Sequence, residues 1–100
     1  GITEDEARYL LMNDLERVDL QIENMMPWAT SLSPARHDAL LNFVFNVGIG
    51  TAMKFENAMA ALKESDFDTA AAELLDSRWS TQVGKRAEEL ADQIKTGVYQ

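Results

Sequence analysis

Carboxylates come first among the side chains able to do chemistry, because glycoside hydrolysis needs only two of them, one protonated and one ionised, either side of a sugar bond. Close pairs occur at Asp5 and Glu6, Asp66 and Asp68, and Glu88 and Glu89. Each falls at a helix start or on a helix surface, where a carboxylate complements the helix dipole or solvates the chain. No apolar stretch beside them would raise one pKa for acid catalysis. Glu73 stands apart because it precedes Leu74 and Leu75, yet surface exposure is expected there too. The single histidine, His37, lies between Arg36 and Asp38 with neither a second metal ligand nor a nucleophile near it, and is expected on the surface. A Gly-rich phosphate loop and His-Glu metal spacing are both missing, so no metal or cofactor is expected.

Amides and a guanidinium remain. Asn42 and Asn46 are four apart inside the apolar run "LLNFVFNVGIG", and Arg78 and Gln82 are four apart around Trp79 in "SRWSTQ". That spacing puts each pair on one helical face, where they could donate hydrogen bonds to a polar neutral ligand such as a sugar. Trp79 is expected to be a core anchor.

These groups must be positioned by helices, since no alternating strand pattern of useful length occurs. Thr3 and Glu6 have capping-box spacing, with Ile2 before the cap. Ala7, Leu11, Leu15, Val18, Ile22 and Met25 then form a stripe, with Glu4, Arg8, Glu16, Arg17 and Glu23 largely off it. This predicts a helix of roughly 20 residues, about 30 Å long, ended by Pro27. Ser33 and Pro34 open a second helix, apolar around most of its circumference from Ala39 to Val47 and stopped by a left-handed Gly48. After the connecting "GIGTAMK", a short helix spans Phe55 to Lys63 with Phe55, Met59 and Leu62 on one face. Ser65, with Asp68 three residues on, caps the next, "SRWSTQ" makes a brief turn of helix, and Gly84 and Gly97 bound the last. The expectation is an all-α, single compact domain of roughly six or seven helices around one core.

At 100 residues the chain has room for one such core, and with no cysteine it holds it without disulfides or a thiolate metal site. The net charge of −8 argues against nucleic acid, which demands a basic stripe. The longest apolar run is too short to span a bilayer, and no leader pattern stands at Gly1, so no membrane partner is expected.

In order and spacing, "GITEDEARYLLMNDLE", "ARHDALLNFVFNVGIG", "KFENAMAALKESDFDTAAAELLDSRW" and "TQVGKRAEELADQIKTG" resemble the helical C-terminal lobe of T4-type phage lysozymes. The resemblance covers essentially the whole chain. It implies residues 1–26 as a long interlobe helix and 33–97 as the helical core of a two-lobed muramidase, a phage protein made in the host cytoplasm that hydrolyses peptidoglycan glycan strands. In that family the catalytic Glu, Asp and Thr belong to an N-terminal lobe, so this chain is expected to be inactive alone, a monomer that binds a glycan strand and partners a missing catalytic lobe. Asn42, Phe45, Asn46, Arg78 and Gln82 match the family's cleft wall and are the substrate-binding residues that the resemblance implies. Ala58 and Glu73 replace the small polar residues usual in the intervening helices. The family is commonly basic, and this sequence is acidic. An alternative is a non-catalytic protein-interaction module with the same fold, docking through Tyr9, Met12 and Leu20 of the first helix.

Overall fold

The computed structural model describes residues 3–100, with the side chains of residues 5 and 7–11 left aside. Ile2 and the side chains of Asp5, Ala7, Arg8, Tyr9 and Leu11, to which the sequence reading assigned roles, lie outside the described residues. The described elements are α1 (Glu4–Met25), a 3-10 helix (Pro27–Ser31), α2 (Pro34–Val47), α3 (Ile49–Lys54), α4 (Glu56–Lys63), α5 (Phe67–Leu75), α6 (Arg78–Val83) and α7 (Lys85–Thr96). The all-α expectation holds.

α1 begins with a reciprocal capping box. The Thr3 hydroxyl accepts from the Glu6 amide at 3.1 Å, and the Glu6 carboxylate accepts from the Thr3 amide at 3.3 Å. The apolar stripe then enters the core through Val18 and Ile22, but its last member differs from expectation. Met25 is 54% exposed, and Met26 beside it is buried. Met26 lies one turn beyond Ile22, and its extended φ of −135° ends the helix at that point. Pro27, with no amide to give, opens the 3-10 helix instead.

α2 is the central helix, with Ala39, Leu40, Phe43 and Val44 all fully buried. Ser33 caps it, accepting from the Arg36 amide, with Pro34 in its first turn. Gly48 stops it, in a conformation other than the left-handed helical one expected: φ is +87° and ψ is 151°. That region is essentially reserved for glycine. The stretch read as a connection is in fact helix α3, anchored by the buried Ala52, whose amide bonds back to the Gly48 carbonyl at 2.9 Å. Phe55 separates α3 from α4, which therefore starts at Glu56 rather than at Phe55.

α5 corrects another expected cap. The Ser65 amide bonds to the Leu62 carbonyl and the Asp66 amide to the Ala61 carbonyl, with Ser65 at φ +62°, the pattern of a Schellman closure of α4. Ser65 is thus consumed in ending α4, and Asp66 takes over the capping of α5 by accepting from the Thr69 amide at 3.3 Å. α7 runs between Gly84 and Gly97 as expected and buries Ala87, Leu90, Ala91 and Ile94. Its free C-terminal carbonyls are met by Arg36 of α2, which donates from Nε to Ile94 O at 2.7 Å and from Nη2 to Lys95 O at 3.1 Å. The guanidinium also lies 3.6 Å over the Phe67 ring.

Truncating Phe43 to alanine should cost about 3–5 kcal/mol. Met25→Ala should stay within about 0.5 kcal/mol. Denaturant unfolding of the two variants checks both burial assignments.

Candidate functional site

The site grows out of the core. Phe43 meets the ring of Phe55 edge-on at 5.0 Å between centroids and the ring of Trp79 edge-on at 4.9 Å. Edge-to-face contacts of this kind are favoured by the ring quadrupoles. Trp79 is held in place by the start of α6, where the Ser77 hydroxyl donates to the last turn of α5 at Leu74 O (2.6 Å) and accepts from the Ser80 amide (3.3 Å). Only 6% of Trp79 is exposed, as a core anchor requires.

The indole Nε1 donates to Asn46 Oδ1 at 3.2 Å, joining α6 to the last turn of α2. An indole N–H can only donate, so the amide oxygen of Asn46 must face it. The Nδ2 group is left free to donate elsewhere. Asn46 and Trp79 line one concave site of about 380 Å³ together with Phe55, Arg78, Gln82, Thr51, Val47 and Val83. Its apolar parts are the aromatic rings and the two valines, and its polar parts are the amides of Asn46 and Gln82, the Arg78 guanidinium and the Thr51 hydroxyl. Among the described residues no carboxylate lines it. Such a surface can hold a ring with an apolar face and hydrogen-bond its edges.

Of the five residues expected at the site, Asn46, Arg78 and Gln82 come together here. Phe45 does not line this cavity and stands 42% exposed one position along α2. Asn42 is also elsewhere: its Nδ2 donates to Asp38 O at 2.9 Å and its Oδ1 accepts from Arg86 Nη2 at 3.2 Å. It lines a different cavity, with Asp38, Arg86, Gln93 and Tyr99. There the Tyr99 hydroxyl donates to Asp38 Oδ2 at 2.6 Å, a bond that raises the phenol above its ordinary pKa. The sequence reading missed Thr51 and Phe55. Phe55 was visible only as a member of an apolar face, and Thr51 sat in the segment taken for a connection.

Glu73 is half-buried and lines a third hollow of about 260 Å³ with Lys54, Phe55, Glu56, Asp76 and Ser77. Phe55 belongs to both, so the two cavities adjoin across its ring. Asp66 and Glu88 occupy the first turns or caps expected of them, and Glu89 pairs loosely with Arg86. His37 is not the surface residue expected. Its side chain is 21% exposed and bonds to both the 3-10 helix and α1.

Comparison with known proteins follows the same line. Residues 1–95 match the family model described as phage lysozyme. Over 99 residues the chain is 31% identical to "Probable T4-type lysozyme 2" of Dictyostelium discoideum, an alignment covering 96% of this chain and 58% of that protein. It is 30% identical over 100 residues to the pre-baseplate central spike protein Gp5 of Enterobacteria phage T4, covering 97% and 17% respectively. It is 30% identical over 84 residues to an endolysin of Bacillus phage B103, covering 84% and 30%. The chain thus spans less than two thirds of the length of each.

Replacing Trp79 by phenylalanine keeps a ring against Phe43 but removes the indole N–H that orients the Asn46 amide in this geometry. The expected cost is about 1 kcal/mol for the lost hydrogen bond. NMR relaxation of the Asn46 side-chain amide should show the fixed group becoming mobile.

Proposed function

The chain belongs to the phage lysozyme family, and from that premise we propose that it is the helical, glycan-binding lobe of an enzyme that hydrolyses the glycan strands of peptidoglycan. The observation that supports this most directly is the cavity at Asn46, Arg78 and Gln82, a donor-rich concavity over aromatic rings lined by no carboxylate among the described residues. Its role is positional. The partly exposed Phe55 ring, with Val47 and Val83 beside it, offers an apolar surface to one face of a saccharide, over the buried Trp79. Asn46 Nδ2, whose partner Oδ1 is held by the indole, donates to an acceptor on the sugar, and Arg78 and Gln82 do so one helical turn apart. The acid and base that break the glycosidic bond come from a separate lobe of the complete enzyme, and glycan held here is presented to them.

The reading as a protein-interaction module rests on apolar side chains of α1 outside the core. Met12 and Leu20 are 62% and 59% exposed. Exposed Glu16 stands between them on the same helical ridge, and Met25 is turned roughly 140° from Leu20 at 100° per residue. Exposed apolar residues scattered in this way are ordinary on a protein surface, so the glycan reading is the stronger.

Titration with an N-acetylglucosamine oligomer should shift the amide signals of Asn46, Trp79 and Gln82 while leaving those of Leu20 unmoved. Asn46→Ala and Arg78→Ala should each weaken binding about tenfold, the equivalent of one charge-assisted or oriented hydrogen bond. Unmoved site signals together with concentration-dependent dimerisation would favour the interaction module. Purified peptidoglycan should remain uncut by these 100 residues alone. Turnover would overturn the division of labour and direct attention to Glu73.

A further inference from the structure

His37 occupies the first turns of α2, facing α1 and the 3-10 helix. Its Nδ1 lies 3.1 Å from the Ala29 carbonyl oxygen and its Nε2 lies 2.7 Å from Asp19 Oδ1. Both partners accept and neither donates, given an ionised Asp19. A neutral imidazole carries one N–H, so it can serve one of them while turning a lone pair toward the other. Either tautomer leaves an acceptor facing an acceptor at hydrogen-bonding distance. The imidazolium, with an N–H at each nitrogen, satisfies both.

The charged groups around the ring agree with a bound proton. From α1 comes Asp19, with Glu16 and Glu23 a turn to either side along the same hollow. From α2 come Asp38 and Arg36, but the Arg36 guanidinium is committed to the Ile94 and Lys95 carbonyls and the Phe67 ring. The 3-10 helix, "PWATS", offers a carbonyl and no ionisable side chain. The N-terminus of α2 opposes a cation here, and the nearby carboxylates work against that.

We propose that His37 is a proton-operated clasp, pinning the C-terminal half of α1 to α2 and to the 3-10 helix while the ring is doubly protonated and loosening that attachment when the proton leaves. The clasp joins an element buried through Ile22 and Met26 to the central helix by its side-chain chemistry. Burial of the ring by itself lowers the pKa. The Ala29 carbonyl, the Asp19 hydrogen bond and the charges of Asp19 and Asp38 outweigh it, holding His37 above its ordinary value of 6.5. A folded-state value above the unfolded one contributes stability that is fully present below the unfolded pKa. It is lost as pH rises through the folded one.

As the chain's single histidine, His37 gives an unobscured ring signal for NMR titration. The ring should titrate above 6.5, with both nitrogens protonated on the acid side. Amide exchange of residues 18–26 should speed up through the same pH window by more than the tenfold per unit that base-catalysed exchange shows by itself, so that protection falls. Each unit between the folded and unfolded pKa values corresponds to a factor of about 10 in the folding equilibrium across the window. Asp19→Asn, at a partly exposed position, should bring the titration down and shrink the pH-dependent part of the protection, and His37→Gln should remove that part altogether. A ring that titrates at or below the ordinary value, an unmoved titration in Asp19→Asn, or protection indifferent to the transition would overturn the clasp.

Discussion

Everything in this fold is arranged around one buried ring. Phe43 is fully buried in the middle of α2, and the edges or faces of Phe55 and Trp79 close on it from two sides. Those three residues come from the central helix, the junction of α3 with α4, and the start of α6. The contact ties together segments 12 and 36 residues apart along the chain. It also fixes the cavity, because the indole that packs on Phe43 carries an N–H at its outer edge, and that N–H orients Asn46. Core and candidate site are therefore two sides of one aromatic cluster. A change that loosens the ring packing would also release the amide.

Short helices make such a cluster necessary. α3 and α6 have six residues each and α4 has eight, lengths at which an isolated helix in water is unstable. They persist because Ala52, Leu62 and Trp79 are buried and because their ends are satisfied locally by Gly48, Ser65 and Ser77. α7 is tied in by polar contacts as well as by its apolar face. Arg36 closes its C-terminus, and the buried Gln93 donates to the Ala35 carbonyl at 2.7 Å. A buried amide left unpaired would destabilise the fold, so Gln93 selects one register of α7 against α2. Among the described residues no buried side-chain nitrogen or oxygen lacks a partner.

What could be read in the sequence was what depends on neighbours along the chain. The capping box at Thr3, the Ser33–Pro34 start, the limits of α7 at Gly84 and Gly97, and the pairing of Arg78 with Gln82 all rest on spacings of four residues or fewer. The departures have a common physical origin in packing between elements. Periodicity assigned Met25 to the core, but the chain turns at Met26, and the turn decides which methionine points inward. Ser65 looked like a cap because serine often is one, yet the closure of α4 uses it first. Asn42 and Asn46 share a helical face, but Arg86 draws one toward α7 and Trp79 draws the other toward α6. The same holds for His37, whose sequence neighbours suggested a solvated flank. Its real neighbours, Ala29 and Asp19, are 8 and 18 residues away.

On the glycan-binding reading proposed above, the net charge of −8 is the wrong quantity at the scale of a binding site. Exposed charges are screened over about 8 Å at physiological salt, so a ligand responds mainly to the groups lining its own cavity. Around Asn46 those groups are neutral donors and one guanidinium. The acidic residues are concentrated elsewhere, on α1 through Glu16, Asp19 and Glu23, and across the Phe55 ring at Glu56, Glu73 and Asp76. Among the described residues Arg78 is the one cation lining that cavity, two positions along from Asp76 of the adjoining acidic hollow. Salt should affect the overall approach of a polyanion more than the contacts it makes once seated, because the first depends on the summed field and the second on hydrogen-bond geometry fixed by Trp79.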